Sequence, residues 1–260
     1  MLQLTNVSYQ YTHRFVLQGV SLQFGAGITA IIGPNGAGKS TLIKCLAGVL
    51  TPSGQIQVNG RQVGAAYPEF YTEVISYLPQ AVATDAAITV FEMVLLGLLN
   101  SLSLYVSDEQ IEHVYTTLDE LGIGELASAY IHELSGGQQQ LVAIAQALVK
   151  EPAILLLDEP LNSLDIQHQF EMLNLIRSVT DQKGLTTLIA LHDLNLAMRY
   201  ADQVVVLHQG HVYAYGAPED VITPSMIQAV YGVDAQVDAN QDGTLFVNLK
   251  GLLPASPNQP

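Results

Sequence analysis

Eight consecutive residues, Gly33-Pro34-Asn35-Gly36-Ala37-Gly38-Lys39-Ser40, follow the pattern G-x-x-x-x-G-K-[ST], and Thr41 comes next. Those residue types suit a triphosphate. The glycines let the backbone curl so that successive N–H groups point inward at phosphate oxygens. A helix beginning there adds the positive end of its dipole. Lys39 would reach the β- and γ-phosphates, and Ser40 would ligate Mg²⁺. A glycine-rich strand-to-helix turn is the plainer reading of the same residues. The apolar run Ile28–Ile32 before the loop and the helical pattern after it favour the phosphate site. Far downstream, the apolar run Ile154–Leu157 ends in Asp158 and Glu159. A buried parallel strand delivers its C-terminal residues to the ligand edge of an open sheet. There Asp158 suits a Mg²⁺ shell, and Glu159 is placed to polarise an attacking water. Alone, Asp-Glu before Pro160 is an ordinary turn; a phosphate loop upstream makes it half of a nucleotide site.

A third motif, Ser135-Gly136-Gly137-Gln138, opens a helix running to about Leu148. Serine is a favoured N-cap, which explains Ser135 but not the Gly-Gly-Gln after it. Paired glycines at a helix N-terminus also make an anion site. Yet Ser135 stands 96 residues beyond Lys39 (135 − 39), outside the obvious reach of the first site.

The elements that must position these residues are legible as periodicities. Leu2, Leu4, Val20, Leu22 and Phe24 fall on alternate positions, the period of a strand. Leu42 to Leu50 reads as a helix, with Gly48 near its end and Pro52 beyond it. Asn59-Gly60 after Ile56 and Val58 predicts a hairpin, as does Gln209-Gly210 between Val204–Leu207 and Val212–Tyr215. Residues 88–150 look helical almost throughout. Ile154–Leu157 and Thr186–Leu191 are apolar enough for strands buried on both faces, and Ile166, Phe170, Leu173 and Ile176 recur at helical spacing. Strands alternating with helices imply a parallel α/β sheet with the 88–150 block inserted into it. The run from Ile88 to Val106 is the most apolar, but Glu92, Asn100, Ser101 and Ser103 interrupt it. It falls short of the ~20 clean apolar residues of a membrane span and is expected to be a buried helix. The tail after Pro254 is polar and proline-rich, and is expected to be disordered.

Composition excludes several classes. Of 260 residues 49% are hydrophobic and 13% charged, and mean hydropathy is +0.28, which argues against a disordered chain. The 24 acids outweigh 9 bases, for a net charge of −15. A nucleic-acid binder or a lipid-adhering surface would need the opposite balance. One cysteine, Cys45, leaves no disulfide framework and no cysteine zinc site. The first residues carry no basic stretch followed by an apolar core, so no secretory signal is expected.

Taken together, LSGGQ at 134–138 between GPNGAGKST at 33–41 and ILLLDEP at 154–160 resembles the ATP-binding subunit of an ABC transporter, over about residues 2–235. The resemblance implies a P-loop NTPase α/β core with a mixed sheet, an N-terminal antiparallel β portion and an inserted all-helical subdomain. The core would cover about 1–87 and 151–235, the helical subdomain about 88–150, and 236–260 would be a short, partly disordered tail. It also implies roles. Tyr11, five residues before Val16, would stack on adenine. Gln80 would sense Mg²⁺ and water and link to the membrane partner. His192 would switch on the γ-phosphate, and Asp165 would cross a dimer interface. Two chains would pair head to tail with ATP between the phosphate loop of one and Ser135, Gly136, Gly137 and Gln138 of the other, which answers the distance puzzle.

The segments His192–Ala197, Tyr200–Asp202 and Glu159–Asp165, with Asp165 leading into Ile166 and His168, and the closing Thr223–Asp234 are similar to importers of iron–siderophore, haem and cobalamin complexes. Such importers use ATP and Mg²⁺, a membrane permease and a separate substrate-binding protein, with the ATPase on the cytoplasmic face of the membrane. The apolar 88–106 region would dock a permease loop, with Leu95 and Leu98 in the contact. The chain departs from the family at Leu141, Gln146, Leu161 and Ser163, which bears on how tightly the signature helix is tied to the core. Other readings are an ATPase of a soluble assembly, such as iron–sulfur cluster biogenesis, an importer ATPase for another metal or oxyanion, and a module that binds ATP without turnover.

Overall fold

A computed structural model describes residues 1–12, 14–63, 73–80, 87–101, 106–162, 164–241 and 243–252. The alternating N-terminal residues form β1 (Leu2–Tyr11) and β2 (Arg14–Phe24), which join β4 (Ser53–Val58) and β5 (Arg61–Val63) in an antiparallel sheet of order β2-β1-β4-β5. Leu2, Leu4, Val20, Leu22 and Phe24 are buried, as their period requires. Asn59 and Gly60 take φ values of 50° and 77°, the geometry of a tight hairpin turn.

The second sheet has the order β10-β9-β3-β8-β7-β6, built from β3 (Gly27–Ile32), β6 (Ile75–Leu78), β7 (Ile154–Leu157), β8 (Thr186–Ala190), β9 (Gln203–His208) and β10 (His211–Gly216). All neighbours are parallel except β10, which returns antiparallel on β9 across Gln209-Gly210. Every residue of β7 and β8 is buried, which explains their unbroken apolar runs. Alternate residues of β3 serve two cores: Ile28, Ala30 and Ile32 face the helical side, and Ile31 faces the antiparallel sheet and helix α1 (Lys39–Leu46). This is the mixed-sheet α/β core expected from the sequence. Helix α1 begins at Lys39, three residues ahead of the apolar pattern, because the phosphate loop runs directly into it.

Between β6 and β7 lie α2 (Val90–Leu95), a 3₁₀ segment Leu96–Ser101, α3 (Asp108–Glu120) and α4 (Gly136–Leu148). The single buried helix expected over 88–106 does not form. A Thr89–Glu92 capping box starts α2, and the chain tightens into 3₁₀ turns after six residues; 102–105 lie outside the described residues. Val90, Val94 and Leu98 are buried, Leu95 packs half-buried on the same core, and Leu96 is 40% exposed. Leu95 and Leu98 therefore serve the core rather than the outer face. No helix among the described residues is long and apolar enough to cross a membrane.

Helix α5 (Ile166–Lys183) precedes β8, and α6 (Leu194–Tyr200), α7 (Pro218–Val221) and α8 (Pro224–Tyr231) follow it. The tail expected from 236 onward is instead largely a hairpin of β11 (Val233–Ala239) and β12 (Leu245–Leu252). Its few apolar contacts, chiefly buried Ala235 and Val247, join the helical core. The expected disorder after Pro254 concerns residues outside the described set.

Candidate nucleotide site

The strand order gathers the chemistry. β3, β8, β7 and β6 are successive neighbours, and at their C-terminal ends come Gly33–Ser40, His192, Asp158-Glu159 and Gln80 respectively. In the loop, Gly33 and Gly38 take φ values of 148° and 108°. A Cβ on Gly33 would stand 2.2 Å from the Leu207 carbonyl oxygen, and one on Gly38 would stand 2.8 Å from that of Val16, so only glycine fits either position. Lys39 is 5% exposed, and its Nζ donates to the Gly33 carbonyl at 2.9 Å. Burial lowers its pKa, and the charges of Glu159 and Asp158 act against that shift. A cavity of about 140 Å³ opens here, lined by Val16, Asn35, Gly36, Lys39, Ser40 and Glu159 among others.

Asp158 is 1% exposed, with its Oδ1 buried and without a hydrogen-bond partner. Burial raises its pKa, opposed chiefly by a hydrogen bond from the Ser40 hydroxyl and then by the charge of Lys44. Desolvation, and then the same carboxylate, push the Tyr77 hydroxyl up to about 12. A buried carboxylate with one oxygen unused, beside a serine hydroxyl, is the hard-oxygen donor set that Mg²⁺ takes.

Glu159 holds a left-handed backbone, φ 53°, which turns its carboxylate into a ring of donors. Gln80 Nε2 donates to Oε2 at 2.8 Å and Asn162 Nδ2 donates to the same oxygen at 2.7 Å. His192 Nε2 lies 2.7 Å from Oε1. Three residues expected to share a site, from three strands, therefore meet on one carboxylate. Asn162 was not foreseen; its place three residues after Glu159, in the turn following β7, was the available signal.

Other expected residues lie elsewhere. Tyr11 ends β1, 45% exposed, with its ring edge-on to Tyr9 at 4.9 Å. It is not in the cavity lining, although Val16 on the paired strand is. Ser135 caps α4 in a reciprocal box with Gln138: its Oγ accepts from the Gln138 N–H at 3.3 Å, and its own N–H donates to Gln138 Oε1 at 3.0 Å. None of 135–138 lines the cavity beside Lys39. Ser135 and Gly136 are exposed, and Gly137 and Gln138 are half-buried. Gly137 lies against His168, where a Cβ would come within 3.0 Å of the ring. His168 Nδ1 is 2.7 Å from Asp165 Oδ1, and Asp165 caps α5. Hydrogen bonds from the backbone and ring of His168 hold the Asp165 carboxyl below its ordinary pKa. Of the departures, Leu161 is buried and Leu141 half-buried in the helical-side core, Gln146 is half-buried, and Ser163 lies outside the described residues.

With the phosphate loop and Glu159 brought together at one sheet edge, and Ser135 capping the helix of the second glycine motif, the fold and site are those of an ATP-binding cassette. The chain belongs to the ABC transporter family, whose model matches residues 17–162. It is 40% identical over 240 residues to an uncharacterized ABC transporter ATP-binding protein of Methanocaldococcus jannaschii, covering 92% of this chain and 94% of that one. It is 37% identical over 262 residues to the ferric enterobactin transport ATP-binding protein of Escherichia coli, covering 98% and 96%. Among solved structures it matches an ABC transporter described as of metal-chelate type, in an inward-facing conformation. That match has a TM-score of 0.83 at 25% identity and covers 97% of each chain. Proteins of this class are ATP hydrolases coupled to transport, and the chain is one of them.

Proposed function

We propose that this chain is the ATP-hydrolysing subunit of a binding-protein-dependent importer for a metal chelate of the iron–siderophore, haem or cobalamin type. The convergence of Gln80, Asn162 and His192 on Glu159 beside the phosphate loop carries the hydrolytic half of this reading. The transported class is supported by the relative named for ferric enterobactin transport and the neighbour of metal-chelate type.

In the proposed mechanism Lys39 and the amides of 33–41 hold the phosphates, and Tyr11 stacks on adenine. Mg²⁺, when bound, would neutralise phosphate charge. Ser40, Asp158 and Gln80 would hold it. Glu159 takes the proton of the attacking water, and Gln80, Asn162 and His192 fix the orientation of its carboxylate. Ser135, Gly136, Gly137 and Gln138, which do not line the cavity beside Lys39, serve the nucleotide of a second copy in a head-to-tail dimer; the exposure of Ser135 and Gly136 supports this reading. Closure on ATP and opening after hydrolysis would drive a membrane permease, a ligand-driven population shift. The permease would hold the chain at the cytoplasmic face of the membrane.

Phosphate release tests the site. Glu159→Gln lowers turnover about 10²–10⁴-fold while ATP binding persists. Turnover above about a tenth of wild type would contradict the assignment.

A further inference from the structure

Two segments that the sequence marks only by resemblance, His192–Ala197 and Thr223–Asp234, line one cavity. Asp193 caps α6: its carboxylate accepts from the N–H groups of Asn195 at 2.7 Å and Leu196 at 3.1 Å. Asn195 then reaches 52 residues along the chain to β12. Its Oδ1 accepts from the Val247 N–H at 2.6 Å, and its Nδ2 donates to the Val247 carbonyl at 3.3 Å. An amide that gives and takes at one backbone residue imitates a strand partner and fixes orientation as well as distance. Val247 is 5% exposed, so its end of the pair is held by the core.

Beside this pair lies a cavity of about 280 Å³, with His192, Asn195, Ile227, Tyr231, Val247 and Leu249 in its lining. The His192 imidazole thus borders both Glu159 and a cavity walled by the C-terminal hairpin. Tyr231, in the same wall, carries a buried hydroxyl without a hydrogen-bond partner, and burial pushes its pKa up to about 12. The C-terminal elements therefore reach the histidine segment through the Asn195–Val247 pair and the cavity wall.

We propose that the hairpin Val233–Leu252 is a clamp that positions His192, acting through the Asn195–Val247 pair. The proposal rests on the role given to His192 above. Asn195 is a positioning residue: its side chain bonds Val247 and not Glu159, and it ties the first turn of α6, three residues after His192, to β12. Small displacements of an orienting group are costly to a chemical step and need not alter ground-state binding.

The test compares steady-state phosphate release by the full-length chain in three variants. Asn195→Ala removes both bonds; kcat falls about tenfold while KM for ATP stays within about twofold. Asn195→Asp keeps the acceptor for the Val247 N–H but sets an oxygen against the Val247 carbonyl, and restores part of kcat. His192→Ala reads the site itself and is nearly inactive. Wild-type kcat in Asn195→Ala beside an inactive His192→Ala overturns the clamp and leaves the site reading standing. An active His192→Ala overturns the site reading and the clamp with it. A joint fall of kcat, ATP affinity and thermal midpoint in Asn195→Ala, with no rescue by Asn195→Asp, marks a merely structural contact and overturns the proposal.

Discussion

Asp158 and Glu159 are neighbours in the chain with opposite surroundings. Glu159 sits in a left-handed conformation that costs a non-glycine residue roughly 1–2 kcal/mol and is held there by three side chains. Asp158 is sealed beneath it with one oxygen unused. Because burial raises the Asp158 pKa, the folded chain binds its proton more tightly than the unfolded chain does. The stabilisation from that proton is therefore present at low pH and is lost as pH rises through the raised value. At neutral pH the ionised group is a net cost to the nucleotide-free fold. Asp158→Asn should raise the thermal midpoint of the nucleotide-free chain by a few degrees and abolish the further rise produced by Mg²⁺ and ATP. Melting curves with and without Mg²⁺-ATP check both; an unchanged or lower midpoint without nucleotide would contradict the electrostatic account. Both carboxylates were legible in the sequence because an apolar strand ending in Asp-Glu has few other uses beside a phosphate loop. Asn162 was not, because an asparagine in a turn has many.

At the scale of elements, the contact between α4 and α5 joins the Ser135–Gln138 motif to the Asp165–His168 segment. Gly137 lies against the His168 ring. Gly137→Ala forces that ring to yield by a few tenths of an ångström. ATP turnover should fall severalfold with ATP binding by the isolated chain unchanged, and His168→Ala in the same chain should recover part of the loss. Additive losses in that double-mutant cycle would show that the contact does not transmit the effect. β7 and β8 were readable because burial on both faces leaves unbroken apolar runs. The C-terminal hairpin was not, because it buries little beyond Ala235 and Val247, and its side-chain tie to the rest of the fold comes from Asn195, 52 residues away. The 88–106 segment misled for a related reason. It is apolar nearly all round, so its periodicity names no inner face, and the shift to 3₁₀ turns after Leu95 sets which residues point outward.

For the whole molecule, the corrected orientation moves the proposed permease contact. Leu98 is inside and Leu96 is 40% exposed, with Tyr115 46% and Val106 39% exposed in the same helical region. Leu96→Glu should reduce recovery of the chain with membranes and leave ATP binding intact, whereas Leu98→Glu buries a charge and should lower the thermal midpoint. Equal membrane recovery of Leu96→Glu and wild type would place the permease elsewhere. The central claim joins hydrolysis at Glu159 to import of a metal chelate, and uptake by the cell measures both at once. Cells lacking this chain should lose uptake of one labelled cargo among a ferric siderophore, haem and cobalamin. The wild-type chain should restore it, and Glu159→Gln should not. Undiminished uptake of all three without the chain, or full restoration by Glu159→Gln, would contradict the account.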